Sequence, residues 1–209
     1  MSWTKHSDWR GKHAIFSPSQ PYWLKYDGEG IKKKCAIHYA TEIGTAVHDL
    51  ASWLIDERQR ISEDDHLLVF KALRDAGIPR SVINTETILH NLVPYVSDAV
   101  MYEMETEVPL VYSKFIFGTA DAVSFKRKLL RIHDLKTGTG APHREQLETY
   151  AALFCFENNQ KPETLKYELR LYQNGEQDIW KPDPLTIRSI YDRIIIASED
   201  AESYFYGKG

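Results

Sequence analysis

The sequence predicts an α/β fold, a mixed central sheet flanked by helices with a largely helical N-terminal half. Three observations carry this. Apolar residues recur at helical spacing through most of residues 35–103, short β-branched and aromatic segments follow from 106 to 136, and two further helices then bracket one alternating strand. The 209 residues suffice for one sizeable core, and no repeat, low-complexity tract or Gly/Ser linker divides them.

The first 34 residues read as an irregular segment. From Cys35 to about Arg60, Ala36, Tyr39, Ile43, Ala46, Val47, Leu50, Trp53 and Leu54 mark one face of an amphipathic helix. A second helix starts at a Ser62-x-x-Asp65 cap and stops at Gly77-Ile78-Pro79. A third runs from about Thr85 to Glu103, with a kink expected at Pro94. Three consecutive strands are expected over Thr106–Phe117, Thr119–Lys126 and Leu129–Lys136. Pro142 opens a helix to about Glu157. The stretch from Leu165 to Gln173 alternates Leu165, Tyr167, Leu169 and Leu171 against Lys166, Glu168, Arg170 and Tyr172, as a strand with one solvated face should. Asn174-Gly175 suits a tight hairpin turn leading to Asp178–Trp180. A last helix spans about Pro184 to Tyr204. The whole is one domain: 1–34 irregular, 35–104 helical, 105–181 the sheet with its inserted helix, and 182–209 a C-terminal helix.

Composition excludes several classes. No apolar stretch approaches the roughly 20 residues a membrane helix needs, and Met1 to Lys12 lacks the apolar run of a signal peptide, so a cytoplasmic protein without membrane contact is expected. Cys35 and Cys155 have no CxxC partner, which excludes a disulfide framework and four-cysteine zinc or iron–sulfur sites. The net charge of −4 gives no long-range field for nucleic acid. Such a partner needs a local patch, for which Lys32-Lys33-Lys34 and Lys126-Arg127-Lys128 are candidates beside the plainer reading of solvated loops.

The chemistry concentrates between Gly118 and Tyr150. On a strand from Leu129 to Lys136, Leu130, Ile132, Asp134 and Lys136 share one face, so a carboxylate and an ammonium end an apolar row. Buried charges there must be paired or bound to a metal. Asp121, on the preceding strand, reaches the same end, and two aspartates with the Leu135 carbonyl suit Mg²⁺ or Mn²⁺. A surface cross-strand pair is the plainer account of Asp134 and Lys136 taken alone. Gln146 and Tyr150, four apart on a helix, share a face and offer donors to a phosphate or a base. His133 points away from Asp134 and reads as a packing or surface residue. Glu105 and Glu107 begin the first strand; Glu107 is kept as an additional ligand or as a group orienting Lys136. Glu42 and Asp49 bracket His48 and would at most support it. Gly138-Thr139-Gly140 is no phosphate loop, because the lysine precedes the glycines; it reads as a flexible connection at the strand end.

The set Gly44-Thr45-Ala46-Val47-His48, Gly118-Thr119-Ala120-Asp121, Asp134-Leu135-Lys136-Thr137-Gly138 and Gln146-Leu147-Glu148-Thr149-Tyr150-Ala151 resembles the RecB-like branch of the PD-(D/E)XK nuclease superfamily, in residues and in order, over about Ala40 to Ala152. Phe16-Ser17-Pro18-Ser19 ahead of Trp23-Leu24 is similar to a Ser-x-Ser opening of phage and bacterial relatives. The resemblance implies a restriction-endonuclease-like core with Asp121, Asp134 and His48 as metal ligands, Lys136 acting on the attacking water, and Gln146 with Tyr150 contacting DNA. It implies a Mg²⁺- or Mn²⁺-dependent deoxyribonuclease, an exonuclease or end-processing enzyme of phage recombination or repair, acting on a linear duplex or a single-stranded end. The histidine favours Mn²⁺, a preference that equal turnover with Mg²⁺ alone would reject. A single-strand annealing or other recombination protein and further copies of the chain are the partners this implies. With two cysteines, the iron–sulfur subtype is excluded. The alternative is a catalytically silent DNA-binding or assembly subunit, and a hydrolase for other substrates would need a small deep pocket. Tyr22, Trp23 and Tyr26 beside Lys32–Lys34 either stack an unpaired end or pack on the core, the latter being the expectation.

Overall fold

A computed structural model describes residues 6, 7, 14–138, 140, 141 and 143–207. The chain enters through a 3-10 turn at Pro21–Lys25 and continues into α1 (Gly28–Asp56), α2 (His66–Asp75) and α3 (Thr85–Met101). Strands β1 (Glu105–Ser113), β2 (Ile116–Lys126) and β3 (Leu129–Leu135) follow, then α4 (Arg144–Glu157), β4 (Lys166–Gln173), β5 (Glu176–Trp180) and α5 (Pro184–Tyr206). The sheet has five strands in chain order, antiparallel throughout except for the β3–β4 pair, which α4 connects as a crossover. This is the α/β architecture the pattern predicts.

Each sheet face has its own core. Val47, Leu50, Leu54, Leu89, Leu92 and Tyr95 from α1 and α3 pack on Ala122, Leu135 and Tyr172. On the opposite face Leu147, Ala151 and Phe154 of α4 with Ile187 and Ile194 of α5 cover Leu130, Ile132, Leu169 and Leu171.

Several boundaries differ from the periodicity, each for a visible reason. α1 begins seven residues before Cys35, because Asp27 caps it by accepting the Gly30 N–H at 2.8 Å; with no residue before Ala46 fully buried, the early turns leave no apolar signal. It ends at Asp56, short of Arg60. Ser62 and Asp65 do pair, but the Asp65 carboxylate accepts from the Ser62 N–H and hydroxyl, and the helix starts only at His66. α3 runs through Pro94 and ends at Met101. Ile116 and Phe117 belong to β2 instead of the first strand, Gly118 continues β2 instead of breaking it, and the turn falls at Lys114-Phe115. Pro142, expected to open α4, lies outside the described residues, as do Thr139 and most of Met1–Lys12.

The largest departure is β4, which is buried on both faces apart from Lys166. Arg170 and Tyr172, expected toward solvent, lie under α3, where Asp98 Oδ2 accepts from Arg170 Nη1 at 2.6 Å and from the Tyr172 hydroxyl at 2.6 Å. Glu168 accepts from Arg131 and Arg170 at 3.0 and 2.9 Å. An ion-pair network thus satisfies the charges that made this face look solvated. His133 faces the same network, wholly buried between Tyr102 and Tyr172, which makes it a packing residue.

Two of the three tight hairpin turns use left-handed backbone, Asn174-Gly175 (φ 55° and 76°) and Arg127-Lys128 (φ 51° and 64°). The second places the basic run 126–128 at the far end of β3 from Asp134, where Lys126 pairs with Glu103 and Lys128 donates to Gln160. Tyr22 and Tyr26 do not pack on the core; they are 73% and 43% exposed, and of the three aromatics only Trp23 is partly buried, against Phe16 and donating to the Ser17 carbonyl. Among the described residues, no helix is long and apolar enough to cross a membrane.

Candidate metal centre

The site forms where β2, β3 and α1 meet at one end of the sheet. Thr106 pairs with Ala122 and Val108 with Ala120, so Glu107 stands across from Asp121. Glu107 has φ 49°, a left-handed conformation that costs a non-glycine residue about 1–2 kcal/mol and persists only where surrounding structure enforces it. The sheet faces exchange at this point. Ala122 packs against α1 and α3, yet Ala120 and Val123, on either side of Asp121, both belong to the α4 face. Strict alternation forbids that; Glu107 and Asp121 form the unpaired position between two pairs in register, and the left-handed Glu107 marks the break.

The result brings His48, Glu107 and Asp121 together, with one potential ligand atom from each lying within 4.8 Å of the others. His48 Nδ1 is 3.5 Å from Asp121 Oδ2. Gly44, Thr45, His48 and Asp49 of α1 form one wall of an open cleft of about 370 Å³, and Glu107 and Asp121 the other. Glu107 therefore belongs to the ligand group, and Asp49 lines the cleft. Glu105 lines a separate groove with Phe125 and Phe154, and Glu42 pairs with His38.

Asp121 Oδ2 also accepts the Leu135 N–H at 2.9 Å, which fixes the end of β3 to β2. Leu135 thus reaches the site through its amide. Burial, reinforced by the Asp134 charge, pushes the Asp121 carboxyl up to about 6, against the opposing pull of His48, the Leu135 N–H and Lys136. The same negative field acts on the buried Tyr95 phenol, held well above its ordinary value first by burial and then by Asp121, Asp134 and Glu107.

Asp134 stands outside the three-residue group. It is buried on the α4 face, as its strand parity predicts, and Lys136 Nζ donates to Oδ1 at 3.0 Å. Oδ2 is 2.9 Å from Nζ but accepts no hydrogen bond among the described residues, which leaves one fully buried carboxylate oxygen with acceptor capacity to spare. Lys136 Nζ also donates to Gln146 Oε1 at 3.2 Å, and Gln146 Nε2 to the Tyr150 hydroxyl at 3.4 Å. A polar chain therefore runs from Asp134 through Lys136 and Gln146 to Tyr150, on the helix face that their i, i+4 spacing predicts. The Tyr150 ring lies over Gly118, where any Cβ would meet Cε1 at 2.8 Å.

No family model matches this chain, and no curated protein does. The solved structure described as "Crystal structure of SSO0001" superimposes with a TM-score of 0.30 and 15% identity, over 65% of this chain and 70% of that one. A likeness at that level carries no argument.

Two residues that the sequence reading passed over complete the site. Asn91, buried in α3, donates from Nδ2 to the Lys136 carbonyl at 3.2 Å and accepts the Gly175 N–H at 2.7 Å. Gln173 Nε2 donates to the carbonyls of Gly138 and Gly140. The segment after Lys136, expected to be flexible, is tethered at three carbonyls. The available signal was Asn91 itself, a polar residue among Leu89, Leu92 and Tyr95 on a buried helix face.

The donor set fits a hard divalent cation. Two carboxylates and one imidazole converge on an open cleft, and the spare Asp134 oxygen lies beside them on the sheet. His48, Glu107 and Asp121 would hold the ion. A divalent cation bound there would supply positive charge and lower the pKa of a water.

Proposed function

We propose that this chain is a Mg²⁺- or Mn²⁺-dependent deoxyribonuclease of the RecB-like PD-(D/E)XK type, acting on DNA ends in the cytoplasm, or in the host cytoplasm if phage-encoded. One observation carries the reading: the His48, Glu107, Asp121 group and the Asp134–Lys136–Gln146–Tyr150 chain meet at the same sheet end, and all of these residues except Glu107 are ones that the resemblance singles out. Phosphodiester hydrolysis needs charge opposite a pentavalent phosphate and an oriented water, and no covalent intermediate.

Within this reading Lys136 is the catalytic residue. Its ammonium, held by Asp134 and Gln146 on β3 and α4, is fixed on rigid elements instead of a loop, as a group that orients water and offsets developing negative charge must be. Asp134 holds Lys136 in place. Gln146 and Tyr150 present an amide and a phenol along the adjoining helix face for the sugar-phosphate backbone. An open cleft in place of a deep pocket suits a polymer.

The test is cleavage of 5′- and 3′-labelled linear duplex, single-stranded and closed circular DNA with Mg²⁺, Mn²⁺ or EDTA, beside the Asp134→Ala variant. Metal-dependent loss of linear DNA that spares the circle and disappears in the variant supports an exonuclease, and the label gives its polarity. Nicking of the circle makes it an endonuclease. No cleavage with either metal overturns the reading and leaves a silent DNA-binding or assembly subunit.

A further inference from the structure

α1 is 29 residues long, yet none of its side chains before Ala46 is fully buried. Residues 28–45, about 27 Å of helix, therefore give the core of α1 and α3 only the partly buried Ile43, although most helical stability in proteins comes from a packed apolar face. What its surface carries is ordered. At 100° per residue, Lys33, Lys34, Ile37, Thr41, Gly44 and Thr45 lie within about 60° of His48 around the axis. The face that forms one wall of the metal cleft thus continues without a turn to Lys33, about 22 Å away.

Charge and aromatic character change along that face. Among the described residues neither Lys33 nor Lys34 has an ion-pair partner, whereas Lys32, on the other side of the helix, pairs with Glu29 at 2.7 Å. Residues 21–40 contain four lysines and two carboxylates in a chain whose net charge is −4. The turn that leads into α1 leaves Tyr22 and Tyr26 exposed.

We propose that the N-terminal half of α1, with Tyr22 and Tyr26, is a docking rail for a single strand of nucleic acid that leads into the His48 cleft. Which end of the strand reacts rests on the nuclease reading; binding to the rail does not. Phosphates are the complement of unpaired lysines on an otherwise acidic molecule, and two exposed tyrosines offer ring faces that only unpaired bases can stack on. Thr41, Gly44 and Thr45 keep the face low between the lysines and the cleft, so an extended strand can lie along it. At the duplex rise of about 3.4 Å per phosphate the rail spans about six phosphates, and fewer along an extended strand.

The experiment is fluorescence anisotropy of labelled oligothymidylates of about 20 and about 4 nucleotides, in EDTA so that none is cut, titrated with salt. The proteins are the wild type, Lys33→Glu/Lys34→Glu and Tyr22→Ala/Tyr26→Ala, with circular dichroism melts to confirm folding. The wild type should prefer the longer strand. The lysine variant should lose at least tenfold in affinity at low salt, with the slope of log K against log salt shallower by about 1.4, the share of two phosphate contacts on a single strand. The tyrosine variant should lose about tenfold with the slope unchanged. Equal affinity and slope in all three proteins, or no binding of the 20-mer, overturns the rail. So does a change of sedimentation coefficient in either variant, which would make this face a contact between copies. A wild type that cuts DNA while the slopes coincide removes the rail and leaves the nuclease; altered slopes without cleavage in Mg²⁺ or Mn²⁺ do the reverse.

Discussion

The Tyr150 ring occupies the space that a side chain on Gly118 would need: a Cβ there would stand 2.8 Å from Cε1 and 3.4 Å from the hydroxyl. The glycine is required by a neighbour, not by its own backbone, and the neighbour is the last member of the polar chain that begins at Asp134. Gly118→Ala should displace Tyr150 and through it Gln146 and Lys136. Overpacking of this kind costs about 1–3 kcal/mol. A urea titration should show that loss, and DNA cleavage should fall about tenfold or more; an unchanged rate would separate Tyr150 from the chemistry.

Asp121 should be a residue that the metal-free protein is better without. Its folded-state carboxyl is raised to about 6, so the ionised form is disfavoured on folding, and the protein gains stability as pH falls from about 6 toward the ordinary carboxylate range. Asp121→Asn removes that cost while keeping an oxygen for the Leu135 N–H. In EDTA at pH 7 the variant should be more stable by about 1–3 kcal/mol. Mn²⁺ or Mg²⁺ should raise the melting temperature of the wild type and not that of the variant. Stabilisation by metal equal to that of the wild type would remove Asp121 from the ligand group.

Lys136→Ala should separate chemistry from metal binding. Lys136 touches Asp134 and Gln146 and no member of the His48, Glu107, Asp121 group. The variant should lose about 10²–10⁴-fold in turnover and keep most of the metal-induced rise in melting temperature. Near-normal cleavage would end the role assigned to Lys136.

His133 gives a pH dependence of opposite sign to that of Asp121. Burial, then the charges of Arg170 and Arg131, lower its imidazole to about 3, so it stays neutral in the fold while the unfolded chain takes up a proton near 6.5. Stability is unaffected by this group above that value. It falls as pH drops from 6.5 toward 3, by at most about 1.4 kcal/mol per pH unit. Urea midpoints in EDTA between pH 7.5 and 4 should decline in the wild type and decline less steeply in His133→Asn. Parallel curves would show that carboxylates alone set the acid limit.

Much of this was legible in the chain. Side-chain parity put Asp134 and Lys136 on one face, i, i+4 spacing joined Gln146 to Tyr150, and Asn174-Gly175 marked its hairpin, because each rests on a periodicity fixed by backbone geometry. What escaped rests on tertiary context. Arg170 and Tyr172 looked solvated because alternation records polarity, and polarity cannot tell water from the Asp98 carboxylate. The first turns of α1 bury nothing and leave no apolar signature. Glu107 was one carboxylate among several until the β1–β2 register set it opposite Asp121, and nothing in the local sequence announces its own left-handed conformation.

The strand order has a consequence for how the centre comes into being. Strands β1, β2 and β3 pair only with their sequence neighbours, so Glu107, Asp121 and Asp134 can be brought together by a meander with short loops to close. His48 comes from a helix separated from them by α2 and α3, and it arrives only when that distant segment docks, a slower event because its loop closure is longer. The three carboxylates thus depend on pairing between strands adjacent in the chain, and the imidazole on the docking of a distant helix. If the centre takes a metal, its affinity in a stopped-flow refolding experiment should appear with the docking of α1 and not with the formation of the sheet.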